Sequence, residues 1–125
     1  MVAPNIDPES SGDNKSVGEM TIGDYLIQRL YHYGVEHCFG IPGDYVITLY
    51  EQMHQSKLIL PVNSCDEQGS GFAADAYARL RGLGVCCQTY GVGGLKSLHT
   101  TAEAFTERSP VVVVSGAPGM NERSK

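Results

Sequence analysis

Nowhere in the chain do the roughly 18 consecutive apolar residues of a membrane-crossing helix occur. Positive charge is scarce: Lys and Arg number 9 against 14 Asp and Glu, and the net charge of -5 leaves no electrostatic footprint for nucleic acid. Cysteine is present but unpatterned. Cys38, Cys65, Cys86 and Cys87 form no C-x-x-C spacing and have no paired histidines nearby, which argues against a zinc site. Cys86 and Cys87 lie inside an apolar run and read as small buried hydrophobes, in keeping with a reducing, cytoplasmic location. No Ser-His-Asp or Cys-His constellation can be assembled from the spacing. Residues 1–20 lack both an apolar h-region and an Arg-rich amphipathic pattern. Polar and rich in Pro, Ser and Gly, that stretch is expected to be a disordered leader.

What is present is one domain over residues 21–125, large enough to bury about two thirds of its unfolded surface. The period of the apolar pattern keeps switching along it, and each switch marks an element. Ile22, Tyr25, Leu26, Leu30 and Tyr33 make a helical stripe, with Thr21 as N-cap, Asp24 in the first turn and Gly34 as the stop. A short strand follows at His37 to Phe39. Val46, Leu49, Tyr50 and Met53 give a second helix, from Tyr45 to Gln55. Leu58 to Val62 is strand-like, with Pro61 pointing to an edge or a strand end. A third helix is expected from Cys65 to Arg81, and a strand from Gly84. Leu95, Leu98, Ala102 and Phe105 form a fourth helical stripe. Val111 to Val114, a run of valines, fits a strand buried on both faces of a parallel sheet.

This rhythm predicts an α/β fold: right-handed βαβ crossovers building an open parallel sheet covered by helices on both faces, flavodoxin-like in outline. Ligands of such sheets bind outside the carboxyl ends of the strands. The irregular segments "GIPGDY" (40–45), "NSCDE" (63–67), "TYGVGG" (89–94) and "SGAPG" (115–119) all follow strands and so share that edge.

Each motif there has a structural and a functional reading. Ser64-x-x-Glu67 is a capping box, in which Glu67 steadies the helix start. Alternatively Glu67 is a carboxylate enclosed at a domain or subunit interface, since Gly71, Ala74 and Ala78 share one face that would admit another backbone; enclosure would fit it for proton work. Asp44 is either an N-cap or a second acid on the same edge. Gly91, Gly93 and Gly94 follow a strand and precede a helix, but the match to G-x-G-x-x-G is incomplete because Lys96 stands where the last Gly or Ala would come. Close approach of backbone to a flat ring is the other reading. Lys96, His99, His32, His37 and His54 read as ordinary solvated positions.

Taken in order, "TIGDYLIQRLYHYGVEHCFGIPGDY", "CDEQGSGFAADAYARLRG", "TYGVGGL" and "ERSPVVVVSGAPG" resemble the N-terminal pyrimidine-binding domain of thiamine-diphosphate-dependent 2-oxo acid decarboxylases, the pyruvate, indolepyruvate and phenylpyruvate group. The resemblance runs from about Met20 to Gly119. It implies that Glu67 hydrogen-bonds the N1′ nitrogen of the cofactor's aminopyrimidine and activates it. Asp44 matches the decarboxylases' active-site aspartate, which supplies a proton before the aldehyde departs. Pro42, Gly43, Thr89 and Gly91 line the pyrimidine pocket.

The resemblance further implies a 2-oxo acid substrate, and a homodimer or homotetramer with the cofactor between subunits. Mg2+ and the diphosphate are held by a C-terminal domain of the same or another chain. The family's His-His pair downstream of "SGAP" is not in this sequence, and Lys96 and His99 replace residues that are usually small or amide. The expectation is therefore a truncated front domain. The alternatives are a non-catalytic truncated homologue or split-enzyme subunit that pairs with a partner chain, and a stand-alone nucleotide or flavin binder.

Overall fold

The computed structural model describes residues 20–123; the expected leader at residues 1–20 lies outside them apart from Met20. Its elements run α1 (Ile22–His32), β1 (His37–Gly40), α2 (Ile47–Ser56), β2 (Leu60–Asn63), α3 (Glu67–Arg81), β3 (Gly84–Gln88), α4 (Val92–Lys96), α5 (Leu98–Thr106) and β4 (Val111–Ser115). The strands form one parallel sheet in the order β2-β1-β3-β4. The predicted α/β architecture is the observed one.

Local signals start and stop the elements. Thr21 Oγ1 accepts from the Asp24 N–H at 3.1 Å, and the Asp24 carboxylate reaches back to the Thr21 N–H, closing a capping box at α1. Gly34, at φ +85°, takes the left-handed turn that ends it. Gln52 Nε2 donates to Thr21 Oγ1 at 3.0 Å and ties α2 to the start of α1. Pro61 is accommodated because β2 is an edge strand, hydrogen-bonded on one side only.

One face of the sheet carries the main core: Ile27 and Leu30 of α1, Tyr50 and Met53 of α2, and Cys38, Val85 and Cys87 of the strands. The Tyr50 hydroxyl donates to the Cys87 carbonyl at 2.8 Å, satisfying a phenol buried in that layer. On the other face α3 lies across the sheet. A Cβ at Gly84 would collide with the Ala74 carbonyl, and one at Gly71 with the Thr100 side chain. The small face of α3 is thus filled by the chain's own β3 and α5. It is not the surface on which another subunit packs, and the large apolar residues that α3 turns outward are Phe72 and Leu80.

Three further expectations are corrected. The valine run β4 is not buried on both faces: it closes the sheet as an edge strand, and Val113 is 40% exposed. The fourth stripe is broken at Ser97, which ends α4 and begins α5, and its apolar members point outward, with Leu95 68%, Leu98 59% and Phe105 85% exposed. Ser97, Thr100 and Ala104 are the residues buried beneath it. The second helix begins at Ile47 with Val46 as an N-cap that makes no side-chain bond, so Asp44 is not its cap.

Candidate functional site

The sheet order reverses at β1. From β1 the chain steps outward to β2, then crosses back to β3 on the other side. Loops that leave β1 and β3 therefore stand at this switch point, the usual ligand position in such sheets. "GIPGD" follows β1 and "TYGVGG" follows β3, so Pro42, Gly43, Asp44, Thr89 and Gly91 flank it.

Thr89 is the point where the segments meet. A Cβ at Gly43 would come 2.9 Å from Thr89 Cβ, so the first loop touches the second with bare backbone. A Cβ at Gly93 would lie 3.2 Å from Thr89 Cγ2 and 3.2 Å from Glu67 Oε1. The Glu67 side chain, arriving from the loop after β2, thus lies against the Gly93 backbone beside Thr89. Gly91 has φ +72°, which lets the chain turn out of β3 and into α4.

The start of α3 holds Glu67 in place, though not by the expected capping box. Asp66 is the N-cap, accepting from the Gly69 N–H at 2.6 Å, and Glu67 is the first helical residue. Its carboxylate is therefore released from the capping duty that Ser64-x-x-Glu67 assigned to it. Among the described residues it makes no hydrogen bond or ion pair, although it is half-buried. It is close enough to Cys86 to help raise that thiol, which burial foremost, then Cys87, then Glu67 push up to about 12.

Asp66 also binds Lys96 Nζ at 3.2 Å, so Lys96 is partnered, against the sequence expectation. The Gly69 N–H foremost, then Lys96, hold the Asp66 carboxyl below its ordinary range. A second tie fixes α4 from beneath: Gln88, buried at the end of β3, donates to Ser97 Oγ, which donates to the Gly94 carbonyl at 3.0 Å. Asp44 and Pro42 stand exposed on the neighbouring loop, and no hydrogen bond or ion pair joins Asp44 to Glu67 among the described residues. His99 is exposed.

The arrangement combines the bare backbone of Gly43 and Gly93 packed on Thr89, Gly91 in the same loop, one unpartnered carboxylate beside them, and a second carboxylate on the next loop. Residues 20–125 match the family model of the thiamine pyrophosphate enzyme, N-terminal TPP binding domain. The chain belongs to that family. Its relatives include pyruvate decarboxylase 2 of Oryza sativa subsp. japonica, 40% identical over 107 residues, covering 86% of this chain and 18% of that protein. Pyruvate decarboxylase of Neurospora crassa is 38% identical over 108 residues, 86% of this chain and 19% of that protein. Pyruvate decarboxylase 4 of Arabidopsis thaliana is 37% identical over 114 residues, 91% of this chain and 19% of that protein.

The chain thus spans less than a fifth of the length of these relatives. As a thiamine pyrophosphate enzyme domain, it leaves the flavin-binder alternative without support. Sequence reasoning placed Gly43, Thr89, Gly91 and Glu67 on one edge. It missed Asp66 as the residue that sets the helix start, because Ser64 satisfies the same local pattern. It also missed Tyr45 and Tyr90, whose contact joins two loops far apart in sequence.

Proposed function

We propose that this chain supplies the pyrimidine-facing half of the active site of a thiamine-diphosphate-dependent, non-oxidative 2-oxo acid decarboxylase, converting a 2-oxo acid to an aldehyde and CO2. The observation that carries this reading is the Glu67 carboxylate, half-buried and internally unpartnered, against the bare backbone of Gly93. A ring nitrogen is the partner such a carboxylate lacks. The pyruvate decarboxylases among the relatives support the reaction class.

Thiamine diphosphate, when bound, supplies the nucleophilic carbon and the electron sink that loss of CO2 from a 2-oxo acid requires. The chain's own residues orient and protonate. Glu67 holds a proton at the pyrimidine N1′, and its partial burial strengthens that hydrogen bond by excluding water. Gly43 and Gly91 line the pyrimidine pocket, and Thr89 and Pro42 border it. Asp44, on the adjoining loop, delivers a proton to the product before the aldehyde leaves. Mg2+ and the diphosphate are held by a C-terminal domain of the same or another chain.

The outward apolar face of α4 and α5 suits that partner. Val92, Leu95 and Leu98 are 81%, 68% and 59% exposed, and they lie on the segment that carries Gly93. An apolar group of this kind beside a site marks an interaction surface. It fits a homodimer or homotetramer in which the cofactor lies between subunits.

The test is Glu67→Gln in the intact protein, with turnover of pyruvate and binding of thiamine diphosphate both measured. Turnover is expected to fall at least about 100-fold with the fold unchanged. Wild-type turnover in this variant would sink the reading. Assembly with a partner chain that proceeds equally well without thiamine diphosphate, in a protein without decarboxylase activity, would favour the pairing subunit instead.

A further inference from the structure

Asp44 sits awkwardly for a residue asked to deliver a proton. It lies within a tight turn closed by the Val46 N–H, which donates to the Gly43 carbonyl at 2.9 Å. Its side chain is exposed and makes no hydrogen bond or ion pair among the described residues. A turn with so little internal support points its side chain reliably only where a neighbour grips it.

The gripped neighbour is Tyr45. Its ring stands edge-on to the ring of Tyr90, with centroids 4.7 Å apart and an interplanar angle of 87°. Its backbone carbonyl lies so close to Gly116 that any Cβ at position 116 would collide with it. Tyr90 belongs to the loop after β3 and Gly116 to the segment after β4, whereas Tyr45 follows β1. One residue next to Asp44 is thus clamped by two other strand-end loops. Tyr45 and Tyr90 are 42% and 40% exposed, so the contact orders the loop rather than filling the core.

We propose that Tyr45 and Tyr90 are a positioning pair for Asp44: their edge-to-face contact fixes the 43–46 turn against the loop that carries Thr89 and Gly91, and so aims the Asp44 carboxylate. The inference rests on the decarboxylase reading for the role of Asp44, but its structural half stands without it.

The first measurement is backbone amide relaxation of the chain by NMR. In Tyr90→Ala the order parameter at Asp44 is expected to drop from the rigid range near about 0.85 to below about 0.6, with α3 and β3 unchanged. Tyr90→Phe, which keeps the ring edge, is expected to retain the rigid value. An unaltered order parameter in Tyr90→Ala overturns the inference whatever the activity. If Tyr90→Ala does not fold, Tyr90→Leu, which keeps bulk and loses the aromatic contact, is read in the same way.

The second measurement is a double-mutant cycle on turnover in the intact protein. Asp44→Ala is expected to cost about 100-fold and Tyr90→Ala about tenfold. The double variant is expected to be no slower than Asp44→Ala, because a positioning residue has nothing left to position. Multiplying losses, about 1,000-fold in the double variant, would show that Tyr90 acts independently of Asp44 and would overturn the proposal. Full activity in Asp44→Ala would remove the role of Asp44, and with it the catalytic half of this inference, while leaving that of Glu67 standing.

Discussion

Gly93 faces the Glu67 carboxylate with bare backbone, and a methyl group there would sit 3.2 Å from Oε1 and 3.2 Å from Thr89 Cγ2. Both distances are tighter than ordinary van der Waals contact, so a methyl group there would press on the Thr89 methyl and displace the unpartnered Glu67 carboxylate by a few tenths of an ångström. Yet Gly93 lies inside the α4 helix, where alanine is favoured over glycine by about 1 kcal/mol. Gly93→Ala is therefore expected to keep or slightly raise stability while weakening thiamine diphosphate binding about tenfold. A thermal melt paired with titration calorimetry separates the two effects. Unchanged affinity in a stable variant would remove Gly93 from the site.

Glu67→Asp probes the same geometry from the other side. The carboxylate is kept but withdrawn by one methylene from the Gly93 wall, so a purely electrostatic role would survive and a positional one would not. Turnover is expected to fall about 100-fold, close to the loss for Glu67→Gln, because a displacement near 1 Å is enough for that. Activity within about threefold of wild type would show that reach is not what Glu67 contributes.

Much of this fold was legible because its signals are local. Thr21 and Asp24 cap α1, Gly34 stops it, and the alternation of periods forces parallel strands. The errors arose where two environments impose the same local pattern. A run of valines looks alike in a central strand and in an edge strand, so the exposure of Val113 was not visible. The stripe Leu95, Leu98, Ala102 and Phe105 keeps helical spacing across Ser97. At the break the Ser97 hydroxyl is held by Gln88 from the end of β3 and by the Gly94 carbonyl one turn back, and the first of these comes from elsewhere in the fold. For the site, the glycines and Glu67 could be placed on one edge by topology. The Tyr45 and Tyr90 contact depends on how two loops settle, which spacing does not encode.

The cysteines give a test of the core. Cys38, Cys86 and Cys87 are 1%, 1% and 0% exposed, whereas Cys65 lies exposed just before the start of α3. Thiolate is the reactive form, and Cys86 is held protonated with its pKa pushed up to about 12 by burial foremost. Iodoacetamide at neutral pH is expected to label Cys65 alone in the folded chain, and all of the cysteines after denaturation. Intact mass with peptide mapping reads this directly. Rapid native labelling of Cys86 or Cys87 would mean that the layer between the sheet and its helices opens more readily than the packing allows.

Asp66 ties the helix that begins with Glu67 to the helix that carries Gly93, and its protonation state is where pH should act on the frame of the site. Its carboxylate accepts from the Gly69 N–H at 2.6 Å and from Lys96 at 3.2 Å, and these contacts, Gly69 first, lower its pKa from the ordinary 3.8. An unfolded chain takes up this proton near 3.8, a folded one only at lower pH. The unfolded state therefore binds more protons in that window, and stability rises with pH across it. The contribution is complete above 3.8 and is lost as pH falls through the depressed folded value. Asp66→Asn keeps an oxygen for the cap and removes the titration, whereas Asp66→Ala removes the cap and is expected to lower Tm by roughly 4 to 8 °C near neutral pH. Lys96→Met should change Tm little, because an ion pair this exposed is weak. The discriminating measurement is the Tm difference between wild type and Asp66→Asn as a function of pH. It is expected to be flat from about pH 5 to 8 and to shrink in the acid range. A difference that persists undiminished to about pH 2 would show that the Asp66 charge contributes nothing to holding Glu67 and Gly93 together.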